Sequence, residues 1–338
     1  MFFFETSTDI DFRVEGADAL TFAADVLALK HAQGLHGVDR AAVESLERAG
    51  RPVRGDLPLP GKHLMLTSGG ALSADRLLIL GVVDLYAFNY AEIREFGHEV
   101  LKVLQVEAPG IRHVCLTLHG PGYGLDEAEA FRAEVAGLLD AISAGHYPRT
   151  LKRITIVEAN PARAERLQRL LRDLTGAGSE DRSAEDRTAG LAASGLRALT
   201  SAGRGSAAKR HVFVAMPFAQ EFDDLYHYGI QGGVNAAGYL CERADLAAFT
   251  GDVIAFVKDR ISTADLVVAD LSAANPNVYL EVGYAWGKGV PTVLIARDAD
   301  ELGFDVRGQR CLIYKNIRDL ETRLKKELAA LSGTPAPS

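Results

Sequence analysis

Cysteine is scarce. Three residues in 338, Cys115, Cys241 and Cys311, are too few, too dispersed and odd in number for a disulfide framework or a thiolate metal site. A reducing cytoplasm is the expected setting. The histidines show no metal-ligand spacing, so no metal is expected. Positive charge is also in deficit: 37 Lys and Arg face 45 Asp and Glu, for a formal net charge of −8. That argues against a duplex nucleic-acid partner, whose protein footprint is basic. It leaves room for a small phosphate site, which needs only a loop and a helix end. No apolar run approaches the roughly 18 residues of a membrane span. The apolar stretch 1–4 meets Glu5 before it could form a signal h-region, so no membrane association is expected. Internal repeats are absent too.

Hydrophobic residues make up 48% of the chain and charged residues 24%, enough for buried cores in two domains, which is what this length suggests. From residue 175 to 210 the composition shifts to Gly, Ala, Ser and charge without an aromatic residue. This stretch reads as a linker with a short helix near 191–199. The expected organisation is a domain over 1–174, a flexible linker over 175–208, a second domain over 209–332 and a tail over 333–338.

The first domain alternates strands (25–29, 76–82, 113–118, 153–157) with helices (90–104, 127–144, 162–174), the rhythm of an α/β layer. In the second, strands are expected at 211–215, 239–243, 265–270, 290–296 and 311–314, and helices at 221–237 and 252–262. A further helix is expected up to 288, with Asn277 as its cap. Repeated βα units imply a mostly parallel, flavodoxin- or Rossmann-like sheet with helices on both faces.

Open parallel sheets bind ligands outside the carboxyl ends of their strands. Met216, Pro217 and Phe218 follow the first strand of the second domain, Asp270 ends its central strand, and Glu281 lies in the early turns of the next helix. Breaking a bond between ribose and base passes through an oxocarbenium-like state, which a positioned carboxylate can stabilise or attack. A helix N-terminus would keep such a carboxylate ionised. Asp270 could bind ribose hydroxyls, Asn275 and Asn277 could supply amide contacts, and Asp252 or Asp259 could act on the leaving base. Taken one at a time, these residues read more readily as helix caps, turn residues and solvated helix charges.

The runs VFVAMPF at 212–218 and ADLVVADLSAANPNVYLEVGYAWGKGVPTVLI at 264–295 resemble the nucleoside 2-deoxyribosyltransferase-like proteins, a group that includes nucleotide N-glycosidases and the related TIR-like domains of bacterial defence. The resemblance spans roughly 211–316. It implies a nucleophilic Glu281, an acidic Asp270 beside the ribose, and a first loop, Met216 to Phe218, that approaches the substrate. The family's Asp-Ser-Gly-Thr-like turn is replaced here by Asn275-Pro276-Asn277, which resembles the defence-associated branch and speaks against base exchange between deoxynucleosides. Its second catalytic acid falls on Asp252 or Asp259.

In the first domain the turn His119-Gly120-Pro121-Gly122-Tyr123-Gly124 joins a strand to a helix, where glycines let backbone N–H groups approach a phosphate. No Gly-Lys-Ser/Thr follows, so this is not a Walker loop. The segments 16–32, 76–82 and 113–131 resemble macro-type domains, in particular the N-terminal domain of leucine aminopeptidases. That implies binding of an ADP-ribose-like ligand by Gly120, Gly122, Tyr123 and Gly124.

Together the resemblances imply a nucleotide N-glycosidase effector of bacterial antiviral defence. NAD or another nucleotide would be its substrate rather than a cofactor, an ADP-ribose-like or cyclic nucleotide its signal, and a homo-oligomer its form. A non-catalytic nucleotide-binding module and a ribosyl transferase that makes a signal are the alternatives.

Overall fold

The computed structural model describes residues 10–175, 193–244, 253–300 and 302–332. The chain divides into two compact α/β units. The first comprises Met1–Gly120 and Glu127–Ser206, the second Pro121–Asp126 and Ala207–Ser338. Among the described residues no helix is long and apolar enough to cross a membrane.

The first unit is built on a mixed sheet of β1 (Asp11–Gly16), β2 (Val26–His31), β3 (His63–Thr67), β4 (Arg76–Gly81), β5 (His113–Leu116) and β6 (Arg153–Glu158), in the order β1-β6-β5-β2-β4-β3. Only β3 runs antiparallel to its neighbour. The inner strands are near-continuous apolar runs, as burial on both faces requires. On one face Leu27, Leu29, Leu77, Ile79 and Cys115 pack against Ala42, Val43 and Leu46 of helix α1 (Gly37–Arg48). On the other, Ala28, Leu78, Val114, Leu116 and Ile156 are equally buried. Helices α2 (Tyr90–Glu107) and α3 (Glu127–Ser143) pack tightly on each other. Gly97 and Gly137 permit this, because a Cβ at Gly97 would sit 2.6 Å from the Glu134 carbonyl oxygen and one at Gly137 would strike the backbone of Arg94. Helix α4 (Pro161–Thr175) lies over β1 and β6. Of the linker expected over 175–208, residues 176–192 lie outside the described residues; the short helix expected near 191–199 is present as α5 (Ala193–Ser201), which packs on α3 and α4, and Leu199, Ala202 and Ser206 are buried in this unit.

The second unit holds a fully parallel sheet of β7 (His211–Ala215), β8 (Leu240–Glu242), β9 (Leu266–Asp270), β10 (Thr292–Ala296) and β11 (Cys311–Ile313). Its order is β11-β10-β9-β7-β8, the flavodoxin-like arrangement. Strict alternation sorts its side chains. Val212, Val214, Leu266, Val268 and Ile295 face Tyr226, Ile230 and Val234, together with Leu320, Leu324 and Leu328 of a C-terminal helix, Ile317–Ser332. Phe213, Ala215, Val267, Ala269 and Leu294 face helices Val253–Thr263 (α7) and Pro276–Lys288 (α8). Helix α6 (Gln231–Ala236) and the C-terminal helix, α9, thus cover one face of the sheet, and α7 and α8 the other. The helix expected over 221–237 is present as one helical run that opens with a 3₁₀ turn, widens to a π-type segment at Leu225–Ile230 and continues as α6. Gly229, Gly232 and Gly233 lower helix propensity there and let α9 approach, a Cβ at Gly233 falling 3.0 Å from the Glu321 carbonyl oxygen.

Candidate functional site

The chain leaves β7 for its neighbour on one side, β8, then crosses to its neighbour on the other, β9. The carboxyl ends of β7 and β9 therefore flank a topological switch point, where a crevice opens because the two following loops diverge to opposite faces. After β7, Met216 and Pro217 are buried and Phe218 is exposed. Met216 joins the core on the α6 and α9 face.

After β9 the chain is held by Asp270. Its Oδ1 accepts the Ser272 backbone N–H at 3.1 Å, and its Oδ2 meets no partner among the described residues. Asp270 is fully buried and shares the sheet face of Val268. Burial raises its pKa, opposed by the Ser272 hydrogen bonds and by the Arg297 charge. Ser272 Oγ in turn accepts the Arg297 backbone N–H at 3.1 Å and lies 3.4 Å from the Tyr314 hydroxyl. Ala273 and Ala274 follow with φ of 65° and 45°, a left-handed conformation that costs an L-residue roughly 1–2 kcal/mol. Strain of this kind concentrates at ligand-binding loops.

Asn275 then caps α8, its side-chain oxygen accepting the Asn277 N–H at 2.9 Å. This corrects the expectation that Asn277 is the cap. Pro276 takes the first helical position, where its fixed φ and missing N–H suit it, so the cap falls one residue before it and Asn277 is an exposed helical residue.

The early helix start also moves Glu281 to the sixth helical position, beyond the first turn in which the helix dipole acts. The expectation that the helix end keeps it ionised is therefore corrected. Glu281 shares a helix face with the core residues Val278, Val282 and Ala285, is half-buried, and makes no hydrogen bond among the described residues. Burial pushes its pKa up to about 7. Asp270 and Glu281 depart from opposite faces of the sheet. Asp259 lies exposed on α7, and Asp252 falls outside the described residues.

Sequence reasoning overlooked Arg243, the residue after β8. Its guanidinium lies 3.9 Å from the Tyr226 ring centroid and 5.3 Å from that of Phe218. No local motif signals it, since the rings that hold it come from the segment after β7.

The glycine-rich turn is divided between the units. Gly120 belongs to the first, while Gly122, Tyr123 and Gly124 belong to the second. There Tyr123 forms an antiparallel bridge with Ala244, and Asp126 accepts the Cys241 N–H at 3.0 Å. The three glycines have φ of 102°, 87° and 91°, a conformational reason for glycine whatever the loop binds.

In the first unit a cavity of about 740 Å³ is lined by Arg94, Glu95, His98, Asp140 and Arg204 among others. Arg94 is saturated there by Asp140 and by the carbonyls of Leu199 and Ala202. Glu95, His98 and Glu99 could bring ligand atoms within 4.8 Å of one another, but Glu99 already pairs with Lys102 at 2.6 Å, and such surface groupings are ordinary on a helix face.

No family model matches the chain, and no curated protein does. Among solved structures it is similar to the Clostridium botulinum CMP N-glycosidase BcmB, at 18% identity and a TM-score of 0.30, over 35% of this chain and 99% of that one. It is also similar to a Trypanosoma brucei macrodomain in complex with ADP, at 13% identity and a TM-score of 0.39, over 47% of this chain and 67% of that one. An Oceanobacillus iheyensis macrodomain with MES bound gives 14% identity and a TM-score of 0.41, over 51% and 96%.

Proposed function

We propose that the second unit hydrolyses the N-glycosidic bond of a nucleotide, with Glu281 as the carboxylate that attacks or stabilises the anomeric carbon. One observation carries this reading. Glu281 is a half-buried carboxyl without a hydrogen-bond partner among the described residues, burial pushes its pKa up to about 7, and its helix starts from a loop bordering the switch point. A carboxyl kept near neutrality is suited to changing its protonation or bonding during turnover. In the reaction the bond from C1′ to the base nitrogen breaks and its electron pair leaves with the base, which departs from NAD as neutral nicotinamide and from an ordinary nucleotide with uptake of a proton, while water adds to C1′ and gives up a proton.

The binding-module reading is favoured by the complete burial of Asp270, which withholds that expected acid from a reacting ligand. A regulatory nucleotide site in the first unit, a role in bacterial defence and self-association belong to the same proposal and rest on sequence resemblance alone.

The test is incubation of the full-length protein with NAD, NADP and a panel of nucleotides. Released base with free sugar phosphate or ADP-ribose, abolished in Glu281→Gln, is the expected result. Turnover that survives Glu281→Gln removes the proposal, and tight binding without turnover by the wild type establishes the binding module instead.

A further inference from the structure

The guanidinium of Arg243 is largely buried, with 15% of its side chain exposed, yet it is poorly matched by the protein. Nη1 meets the Met216 thioether sulfur at 3.7 Å, a weak acceptor. Nη2 stands 3.7 Å from a half-exposed Asp223 carboxylate, too far for a hydrogen bond. Among the described residues no oxygen accepts from it at hydrogen-bonding distance. Arg94 in the first unit shows how a comparably buried arginine is normally satisfied, by a bidentate carboxylate and backbone carbonyls. Its remaining N–H donors meet no protein oxygen but are not sealed from solvent, so they stay open to an anion.

The rings of Tyr226 and Phe218 hold the guanidinium plane, so its edge donors are fixed in direction and able to grip two oxygens of one phosphate. Its position suits the crevice. Arg243 follows β8 on the side of Cys241, which with Met216 belongs to the core on the α6 and α9 face. Asp270 ends β9 on that same face, two strands away, about 10 Å across the sheet.

We infer that Arg243 binds the phosphate of the substrate, so that the site takes phosphorylated nucleotides in preference to free nucleosides. This rests on the proposed function for the identity of the sugar and base, although the anion site itself does not require catalysis.

The experiment is calorimetric titration of the full-length protein with adenosine, cytidine, their 5′-monophosphates and inorganic phosphate. Wild-type protein should bind a monophosphate at least tenfold more tightly than its nucleoside, with inorganic phosphate competing. Arg243→Gln should erase the preference and Arg243→Lys should retain part of it. Thermal melts verify the fold of each variant, and Arg243→Lys carries the comparison if the Gln variant does not fold. Equal affinity for monophosphate and nucleoside, absence of binding by every probe, or a preference that persists in a folded Arg243→Gln overturns the inference. An Arg243-dependent preference without bond cleavage sustains it while removing the catalytic reading. Cleavage of nucleosides and monophosphates with equal kcat/KM does the reverse.

Discussion

The Nδ1 atom of His119 lies 3.7 Å from Oε2 of Glu134, with both side chains buried in the first unit and the imidazole edge-on to Phe96. Burial drives the imidazole pKa well below its usual value and lifts the carboxyl to about 8, so at neutral pH the pair is held uncharged. The Lys30 charge acts on both groups and is itself paired with Asp39 at 2.8 Å. Because the folded pKa of Glu134 is above its unfolded value, its favourable contribution is complete below about 4.5 and lost as pH rises to about 8. His119 acts oppositely, its contribution being lost as pH falls through 6.5. Glu134→Gln should therefore melt higher than wild type at pH 9, with the gap narrowing toward pH 5. A lower melting temperature at pH 9 would show that a buried carboxylate is being held in place.

For Glu281 the same linkage joins stability to activity. Its raised pKa means that the folded state loses stability as pH climbs from 4.5 to about 7, a penalty of about 3 kcal/mol at most. Glu281→Gln should remove that penalty, raising stability above pH 7, while lowering kcat/KM for a cleaved nucleotide by about 10³-fold or more. The wild-type kcat/KM should rise with an apparent pKa of about 7. A flat profile from pH 6 to 8 would show that the ionisation of Glu281 does not govern the rate.

Asn275 supplies the cap of α8. Replacing it by Ala should cost about 1 kcal/mol in a denaturant titration, and Asn275→Ser should restore most of the loss. Asn277→Ala, at an exposed helical position, should have little effect on stability. Equal losses at the two positions would contradict the capping geometry.

Gly137 admits the backbone of α2 against α3. Gly137→Ala should destabilise the first unit by about 1–3 kcal/mol or more, read as a fall in melting temperature. Glycine at 110, where a Cβ would meet nothing within 4 Å, should tolerate Ala far better.

Strands β7 and β9 were legible because each is an unbroken apolar run bounded by polar residues, and α8 because its apolar positions recur at helical spacing. Strand β1 escaped notice since, of Asp11–Gly16, only Val14 is buried, as befits a polar edge strand. Helix α1 was missed because charged residues surround a narrow stripe of Ala42, Val43 and Leu46. The position of Glu281 could be read from the sequence, but its protonation could not, because that depends on where the helix starts and how deeply the carboxyl sinks. Arg243 was hidden for a different reason. Its surroundings are assembled from Met216, Phe218, Asp223 and Tyr226, which only the completed sheet brings beside it.

Because Pro121–Asp126 belongs to the second unit although first-unit residues flank it on both sides, the chain cannot be divided into autonomous pieces by one cut. A fragment beginning at Ala207 would lack the carboxylate that receives the Cys241 amide and the tyrosine that bridges Ala244, exposing the border of β8. Separate expression of the two halves therefore calls for grafting this hexapeptide onto the downstream fragment, or for supplying it in trans as a peptide.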